Sequence, residues 1–263
     1  MTKSFCFTVD DNIRCLKELT EGNYGSIFEH PYLSVYKRLH ERYGLKVQLN
    51  LFYETDGFDL SDMTDRYIDE WRSSSDWLKL SFHSRIENEC PYENSGYDKV
   101  FTDCKNVHRE IVRFASLPAL GKTTTVHYCL ATKEGLRALK DNGVQGLLGL
   151  YGKKDAPRVS YQSTQEECEL IREGEIVLSD GIGYTGIDIV LNSFSKESIL
   201  SQLKELTHRD LIKVMIHEQY FYPDYRGYQK DFEEKLDATF EFLTEHNFLS
   251  EFFEDILSTC TTK

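Results

Sequence analysis

The segment Phe5-Cys-Phe-Thr-Val-Asp-Asp11 joins a short apolar run to two adjacent carboxylates. Phe5 to Val9 has the length and composition of a buried β-strand. In parallel α/β folds, ligands bind beyond the carboxyl ends of the strands, so polar residues directly after a strand are candidates for a shared site. Asp10 and Asp11 are therefore the first candidate site residues.

Six further apolar runs follow, and they alternate with longer amphipathic segments. This alternation is typical of βαβ units around a parallel sheet, so the predicted fold class is α/β. The predicted strands are Phe5 to Val9, Val47 to Tyr53, Leu78 to Phe82, Thr124 to Cys129, Val144 to Leu150, Ile187 to Leu191 and Ile212 to Ile216. The predicted helices are Pro31 to Tyr43, Asp65 to Ser73, Tyr97 to Phe114, Lys133 to Asp141, Lys196 to Leu206 and Tyr228 to Thr244.

One segment departs from the alternation. Arg158 to Tyr184 is polar and contains the turn-like sequence Asp180-Gly-Ile-Gly183, which predicts a helix and a hairpin at the barrel mouth, inserted between the fifth and sixth strands. No internal repeat, linker or charge block marks a domain boundary. Residues 1–263 are therefore predicted to form one domain.

The composition is that of a folded chain, with 263 residues of which 40% are hydrophobic and 29% charged. A net charge of -13 repels phosphate groups, which argues against nucleic acid and anionic membranes as partners. We find no signal peptide and no apolar run long enough to cross a bilayer. The seven cysteines are irregularly spaced and include no Cys-x-x-Cys pair, so we expect a reducing cytoplasm rather than a disulfide framework.

Polar residues occur at the ends of four predicted strands, and these ends meet at one edge of a parallel sheet. They supply carboxylates and imidazoles: Asp10, Asp11, His83, His127, His217 and Glu218. Carboxylate oxygen and neutral imidazole nitrogen are ordinary ligands of one divalent transition metal, with zinc expected first and cobalt, manganese or iron as alternatives. A carboxylate that does not bind the metal can take a proton from water.

Three of these segments resemble the motifs of a known family. Phe7-Thr-Val-Asp-Asp-Asn12 is similar to the Thr-Phe-Asp-Asp signature of polysaccharide deacetylases of the NodB-homology type. Ser81-Phe-His-Ser84 resembles the start of their His-Ser-x-x-His motif, and Ile216-His217-Glu218 resembles their late strand-end His motif. The order and spacing agree across most of the chain. The resemblance implies a distorted seven-stranded (β/α) barrel.

The resemblance also implies a reaction and a set of roles. The expected activity is metal-dependent hydrolysis of an N-acetyl or similar acyl group on an amino sugar or sugar conjugate, such as a precursor of a surface polysaccharide. Asp10 would be the general base, Asp11 and His83 would bind the metal, and His217 would protonate the leaving amine. Glu218, next to His217, is a further candidate catalytic carboxylate.

The sequence departs from the family pattern at the third metal ligand. The second His of the His-Ser-x-x-His motif falls on Glu87, so either Glu87 or His127 would complete the site. His127 is preferred because its strand end faces the same pocket, whereas Glu87 needs a helical turn to face back. The family's Arg-x-Pro motif has no match, and Arg85 and Arg113 are candidates to replace its Arg.

Aromatic residues near the predicted strand ends could stack on a sugar: Tyr53, Tyr92, Tyr128, Tyr220, Phe221, Tyr222 and Tyr225. Tyr128, Tyr220 and Tyr222 are predicted to bind substrate. Two alternatives remain open. One is a glycoside hydrolase that pairs Asp10 or Asp11 with Glu218, and the other is a non-catalytic carbohydrate-binding protein with a degenerate deacetylase site. The oligomeric state is not predicted.

Overall fold

The computed structural model describes residues 3–87, 92–149, 160–161 and 163–260. Leu150, Arg158 and Val159, which lie in predicted elements, fall outside the described residues. Cys90 also lies outside them.

The strands lie at nearly the places that the apolar runs predict. They are β1 Ser4–Asn12, β2 Val47–Phe52, β3 Glu54–Thr55, β4 Phe58–Asp59, β5 Leu78–Ser84, β6 Thr123–Thr124, β7 Gly146–Gly149, β8 Val177–Ser179, β9 Ile182–Gly186, β10 Ile189–Val190, β11 Leu211–His217 and β12 Leu249–Ser250.

Helices follow most of these strands. They are α1 Arg14–Glu21, α2 Pro31–Tyr43, α3 Ile68–Ser73, α4 Tyr97–Ala115, α5 Lys133–Asp141, α6 Gln165–Glu173, α7 Lys196–Leu206, α8 Phe232–Glu245 and α9 Phe253–Cys260. Local signals explain several ends. Pro31 begins α2 and Gly44 ends it in the left-handed conformation with φ +66°, and the side chain of Thr132 caps α5.

The strands form a parallel barrel whose hydrogen-bonded ladder is interrupted. One sheet has the order β10-β11-β1-β2-β5 with β12 beside β1, and a second has the order β6-β7-β9-β8. The bent segment β9–β10 connects the two sheets, because β9 pairs with β7 and β10 pairs with β11. Between β5 and β6 there is one isolated bridge, Leu80 with Leu120. The prediction of a distorted seven-stranded α/β barrel is confirmed, although its ladder is not closed among the described residues.

The predicted insertion is confirmed in content and corrected in place. It contains α6 and an antiparallel hairpin of β8 and β9. The expected position at the barrel mouth was wrong, because β9 pairs in parallel with β7 and is part of the sheet.

Other boundaries differ for local reasons. The fourth strand is reduced to β6 because the chain turns into a 3-10 segment at His127–Cys129, where Tyr128 has φ +59°. The predicted helices at Asp65 and Tyr228 begin later, at Ile68 and Phe232. The sequence pattern also missed α1 and α9.

The two faces of β1 have different surroundings, since one packs against α8 and the other faces the barrel interior. Phe5 and Phe7 pack on Phe240 of α8, with ring centroids 5.6 and 4.9 Å apart. Because side chains alternate along a strand, Thr8 and Asp10 face the barrel interior instead.

In the described part of the chain, no helix has the length and apolar character that a membrane crossing requires.

Candidate metal centre

A cavity of about 330 Å³ opens at the carboxyl ends of the barrel strands. Its lining is Asp10, Asp11, His83, Glu87, Thr125, His127, Tyr128, Cys129, Met215, His217, Gln219, Tyr220, Tyr225 and Arg226. The strand ends that the sequence predicted to share a site therefore do meet, and most of the predicted site residues lie together.

Asp10 and Asp11 both reach this cavity because β1 is irregular at its end. Residues Val9 and Asn12 pair with Leu49 and Leu51, so one extra residue of β1 is accommodated as a bulge. Asp11 has φ +64°, a conformation that costs free energy for a residue with a Cβ. Regular alternation would send the two carboxylates to opposite faces, and the bulge allows both to line one cavity.

Three ligand atoms converge at the centre of the site. The Nε2 atom of His83 lies 3.0 Å from Oδ1 of Asp11 and 3.1 Å from Nδ1 of His127. The same Oδ1 atom lies 3.5 Å from Nδ1 of His127. All three side chains are buried. They are the group in the described residues whose atoms could hold a metal ion.

The hydrogen bonds of the outer ring nitrogens fix which nitrogens are free. His83 donates its Nδ1–H to the carbonyl oxygen of Thr125, and His127 donates its Nε2–H to the carbonyl oxygen of Glu87 at 2.7 Å. A carbonyl oxygen can only accept, so both inner nitrogens carry lone pairs in the neutral rings.

These three acceptors fit a divalent metal. A single proton could form a hydrogen bond between only two of these acceptor atoms, whereas a metal cation can bind all three. Ligands about 2.0–2.1 Å from a tetrahedral metal are roughly 3.3 Å apart, and the observed separations are 3.0, 3.1 and 3.5 Å. Hydrogen bonds from the outer ring nitrogens to carbonyl oxygens are the usual support for metal-binding histidines.

The pKa values of Asp10 and Asp11 are shifted in opposite directions. Burial opposes ionisation of Asp11, but contacts with His127 and His83 outweigh it and hold the pKa of Asp11 well below its usual range. Burial raises the pKa of Asp10, although the charges of His83 and His217 oppose that shift. Burial alone would lower the pKa of His83. The charges of Asp10 and Asp11 and the hydrogen bond with Asp11 outweigh burial, so the pKa of His83 is raised.

Asp10 is not among the three converging ligands. Its Oδ1 atom accepts a hydrogen bond of 2.7 Å from Nδ2 of Asn50 on β2. On the neighbouring strand β11, His217 is the register partner of Asp10. His217 donates its Nδ1–H to Oδ1 of Asn192 at 2.8 Å, which leaves Nε2 free of that bond. The cavity thus has a buried carboxylate and an imidazole beside the three side chains that could hold a metal.

Of the two candidates for the third ligand, the structure brings His127 into the group. Glu87 lines the cavity, but its contact with the group is through its backbone carbonyl. Partial burial and the charge of Asp11 raise the pKa of the Glu87 side chain, which is otherwise exposed.

Glu218 and Tyr222 do not line the cavity, which corrects their predicted roles. The buried Glu218 carboxylate accepts the backbone N–H groups of Ile13, Arg14 and Cys15 at 2.8, 3.0 and 2.8 Å. It therefore caps the start of α1. Tyr222 donates its hydroxyl to Glu218, and its buried ring lies under the Arg14 guanidinium at 3.8 Å.

Of the other predicted aromatic residues, Tyr128, Tyr220 and Tyr225 line the cavity, whereas Tyr53, Tyr92 and Phe221 are not part of its lining. Tyr128 is 47% exposed and packs beside His127 with ring centroids 4.1 Å apart. Tyr220 packs edge-on against Tyr225 at 5.3 Å, and both line the cavity. These faces are placed to contact a ligand entering from the strand ends.

Sequence reasoning missed four polar residues of the site. Asn50 and Gln219 bind the two aspartates, Asn192 binds His217, and Arg226 lines the cavity rim. A signal existed for Asn50, because a polar residue within the apolar run of β2 needs a buried partner. Neither candidate replacement arginine reaches the cavity. Arg85 binds Glu54, and Arg113 binds Glu110 and backbone carbonyls.

The fold and the site together define a distorted parallel (β/α) barrel with an Asp-His-His group at its carboxyl-terminal mouth. No protein-family model matches the sequence, and no curated protein matches it. Solved structures do match the fold.

One of these is the 4-alpha-glucanotransferase from Thermococcus litoralis, with TM-score 0.65 and 16% identity. The match covers 98% of this chain but 40% of the glucanotransferase. A second is a peptidoglycan N-acetylglucosamine deacetylase, with TM-score 0.54, 11% identity, and coverage of 96% and 86%. A third is the family 4 acetyl xylan esterase from Clostridium thermocellum, with TM-score 0.51, 12% identity, and coverage of 98% and 91%.

Identities this low show a shared fold. The chain has the fold of family 4 carbohydrate esterases, and the similarity to polysaccharide deacetylases that the motifs predict is confirmed at that level.

Proposed function

We propose that the protein is a metal-dependent hydrolase of the carbohydrate-esterase kind, which removes an N-acetyl or similar acyl group from an amino sugar or sugar conjugate. The observation that carries the proposal is the convergence of three lone-pair atoms, from Asp11, His83 and His127, within 3.0–3.5 Å of one another. The deacetylase and the esterase that share the fold support the same class of reaction.

Asp11, His83 and His127 would hold the metal. A divalent cation there would supply Lewis acidity toward a substrate carbonyl and toward water. Zinc suits two imidazoles and one carboxylate, and cobalt, manganese and iron suit the same donor set. The similar esterase from Clostridium thermocellum was solved with a cobalt ion.

Asp10 is the proposed general base. Asn50 holds its Oδ1 atom, so Oδ2 is the oxygen left to accept a proton from an attacking water. Burial raises the pKa of this carboxyl, which makes its ionised form a stronger base.

His217 is the proposed general acid. Its Nδ1–H is held by Asn192, so the Nε2 side of the ring is the one that can carry a proton to the leaving nitrogen or oxygen. Asp10 and His217 are register partners on adjacent strands, which keeps the two proton-transferring groups side by side.

A sugar fits the remaining lining. Tyr128, Tyr220 and Tyr225 offer aromatic faces, and Glu87 and Arg226 offer polar groups for hydroxyls. We place the activity in a reducing compartment such as the cytoplasm, and the buried free thiols of Cys6, Cys15 and Cys104 support this.

Glycosidic hydrolysis is the alternative that the glucanotransferase fold would favour. The sequence predicts that this reaction would use a pair of carboxylates, Asp10 or Asp11 with Glu218. Glu218 is 1% exposed and bound to three backbone N–H groups, so it cannot face a substrate in this cavity. The deacetylase proposal therefore explains more of the site.

The test compares Asp10→Asn with Asp11→Asn in metal content and in acetate release from N-acetylglucosamine oligomers and from acetylated xylan. Asp10→Asn should keep the metal and lose turnover by about 100-fold or more, since general base catalysis contributes at least that much. Asp11→Asn should lose both. The two substrates distinguish an amide from an ester as the scissile bond.

Equal metal loss in both variants would contradict the assigned roles. A metal-loaded wild-type protein that releases acetate from neither substrate would favour the carbohydrate-binding alternative.

A further inference from the structure

We propose that Gln219 is a positioning residue that makes Asp11 a one-oxygen metal ligand. Its Nε2 atom donates a hydrogen bond of 2.6 Å to Oδ2 of Asp11. The inference rests on the metal site of the proposed function, and it assigns a role to a residue that binds neither metal nor proton in that scheme.

The orientation of the Gln219 amide follows from its partner. An ionised carboxylate can only accept hydrogen bonds, so the amide must present its NH₂ group to Asp11. Its Oε1 atom is then turned away, and it is buried without a hydrogen-bond partner among the described residues. Leaving a buried acceptor unpaired costs free energy, so this orientation is maintained by the contact with Asp11.

The hydrogen bond from Gln219 gives the two carboxylate oxygens of Asp11 different partners. Oδ1 lies 3.0 Å from Nε2 of His83 and 3.5 Å from Nδ1 of His127, whereas Oδ2 is committed to Gln219. A carboxylate restrained in this way offers one oxygen to a cation. Catalytic metal sites with three protein ligands need a position left open for water or substrate, and chelation by both Asp11 oxygens would use it.

Glu218, the residue before Gln219, binds the backbone that follows Asp11. Its carboxylate accepts the backbone N–H groups of Ile13 and Arg14, two and three residues beyond Asp11. The 3-10 segment Glu218–Phe221 thus binds the Asp11 side chain and the backbone that follows it. This double attachment accounts for how Asp11 is held at φ +64°.

The test uses Gln219→Met, which keeps the size of the side chain and removes its donor, with Gln202→Met on α7 as the matched control. Co²⁺ is titrated into each metal-free protein, and both the affinity and the visible absorption of the bound ion are recorded. Loss of a supporting hydrogen bond to a metal ligand typically weakens binding by about 10- to 100-fold. We expect that loss in Gln219→Met, with a weaker and shifted Co²⁺ absorption from a higher coordination number, and neither change in Gln202→Met.

Thermal unfolding of the metal-free proteins checks that Gln219→Met is folded, and Gln219→Asn, whose shorter side chain cannot reach Asp11, provides a second variant with the same expectation. Wild-type affinity and an unchanged Co²⁺ spectrum in both variants would overturn the role of Gln219 while leaving the proposed function standing. Absence of Co²⁺ binding by the wild-type protein would overturn both.

Discussion

His127 uses both ring nitrogens, one toward Asp11 and His83 and the other toward the carbonyl oxygen of Glu87. We predict that His127→Ala weakens Co²⁺ or Zn²⁺ binding by more than about 100-fold, beyond the usual effect of losing a supporting group. Glu87→Ala should change affinity by less than about fivefold, because an exposed charge contributes about 1 kcal/mol or less.

A chelator-competition titration of the two variants measures this ranking. If Glu87→Ala proves the more damaging change, the third ligand is the Glu87 side chain and the geometry of His127 is misread.

Single residues at strand ends were the most predictable part of the site. Asp10, Asp11, His83 and His217 follow apolar runs, and the carboxyl ends of parallel strands necessarily meet. The bulge at Asp11 could not be predicted, because it depends on the register of β1 against β2. Gln219 and Asn192 were missed for a similar reason: their partners are distant in sequence.

Among the elements, α1 shows how a helix can lack a local signal. Its N-cap residue, Ile13, makes no side-chain cap hydrogen bond, and its first turn has no acidic residue. The cap comes from Glu218, which is about two hundred residues away in the sequence and binds three of the N-terminal N–H groups. Such a helix end is specified by tertiary structure, and the sequence pattern does not reveal it.

We predict that Glu218→Ala lowers the free energy of unfolding by about 2–3 kcal/mol, because buried backbone donors lose their acceptor. Urea denaturation of the metal-free protein measures the change. Glu21→Ala on the same helix is the control, and it should differ from wild type by less than about 0.5 kcal/mol, as expected of a surface substitution. A Glu218→Ala variant as stable as the control would show that the carboxylate is dispensable to α1.

For the whole molecule, α9 packs under the barrel at the end away from the metal centre. A Cβ atom added at Gly146 on β7 would lie 2.6 Å from Leu257, 2.8 Å from Phe253 and 2.9 Å from Thr123. The absence of a side chain on β7 therefore makes room for α9. Neither the positions of the glycines nor the helical periodicity of the sequence indicates this packing, because β7 and α9 come into contact only once the barrel has formed.

We predict that Gly146→Ala destabilises the protein by about 1–3 kcal/mol, the usual cost of overpacking. Gly96→Ala is the control, because an added Cβ there meets nothing within 4 Å. Equal urea midpoints for the two variants would mean that α9 shifts without cost and does not define the lower end of the barrel.

The parallel α/β class of the fold and its seven strands were predictable, and the closure of the barrel was not. Seven apolar runs in alternation with helices are enough to indicate a parallel α/β fold. The ladder of the described residues is interrupted between β5 and β6, and β6 ends at Thr124, before the turn in which Tyr128 and Cys129 take positive φ values of 59° and 56°. His127 lies in this turn, and its Nδ1 atom is 3.1 Å from Nε2 of His83, so one of the three converging side chains comes from the irregular segment of the barrel.

We propose above that Asp11, His83 and His127 hold one divalent transition metal. Elemental mass spectrometry of untagged protein, purified without chelator, tests it most directly beside His83→Ala and the exposed-site control His208→Ala. We predict about one metal per chain in the wild-type and His208→Ala proteins and none in His83→Ala. Absence of metal from all three proteins after reconstitution, or equal metal in all three, would contradict a metal site formed by Asp11, His83 and His127.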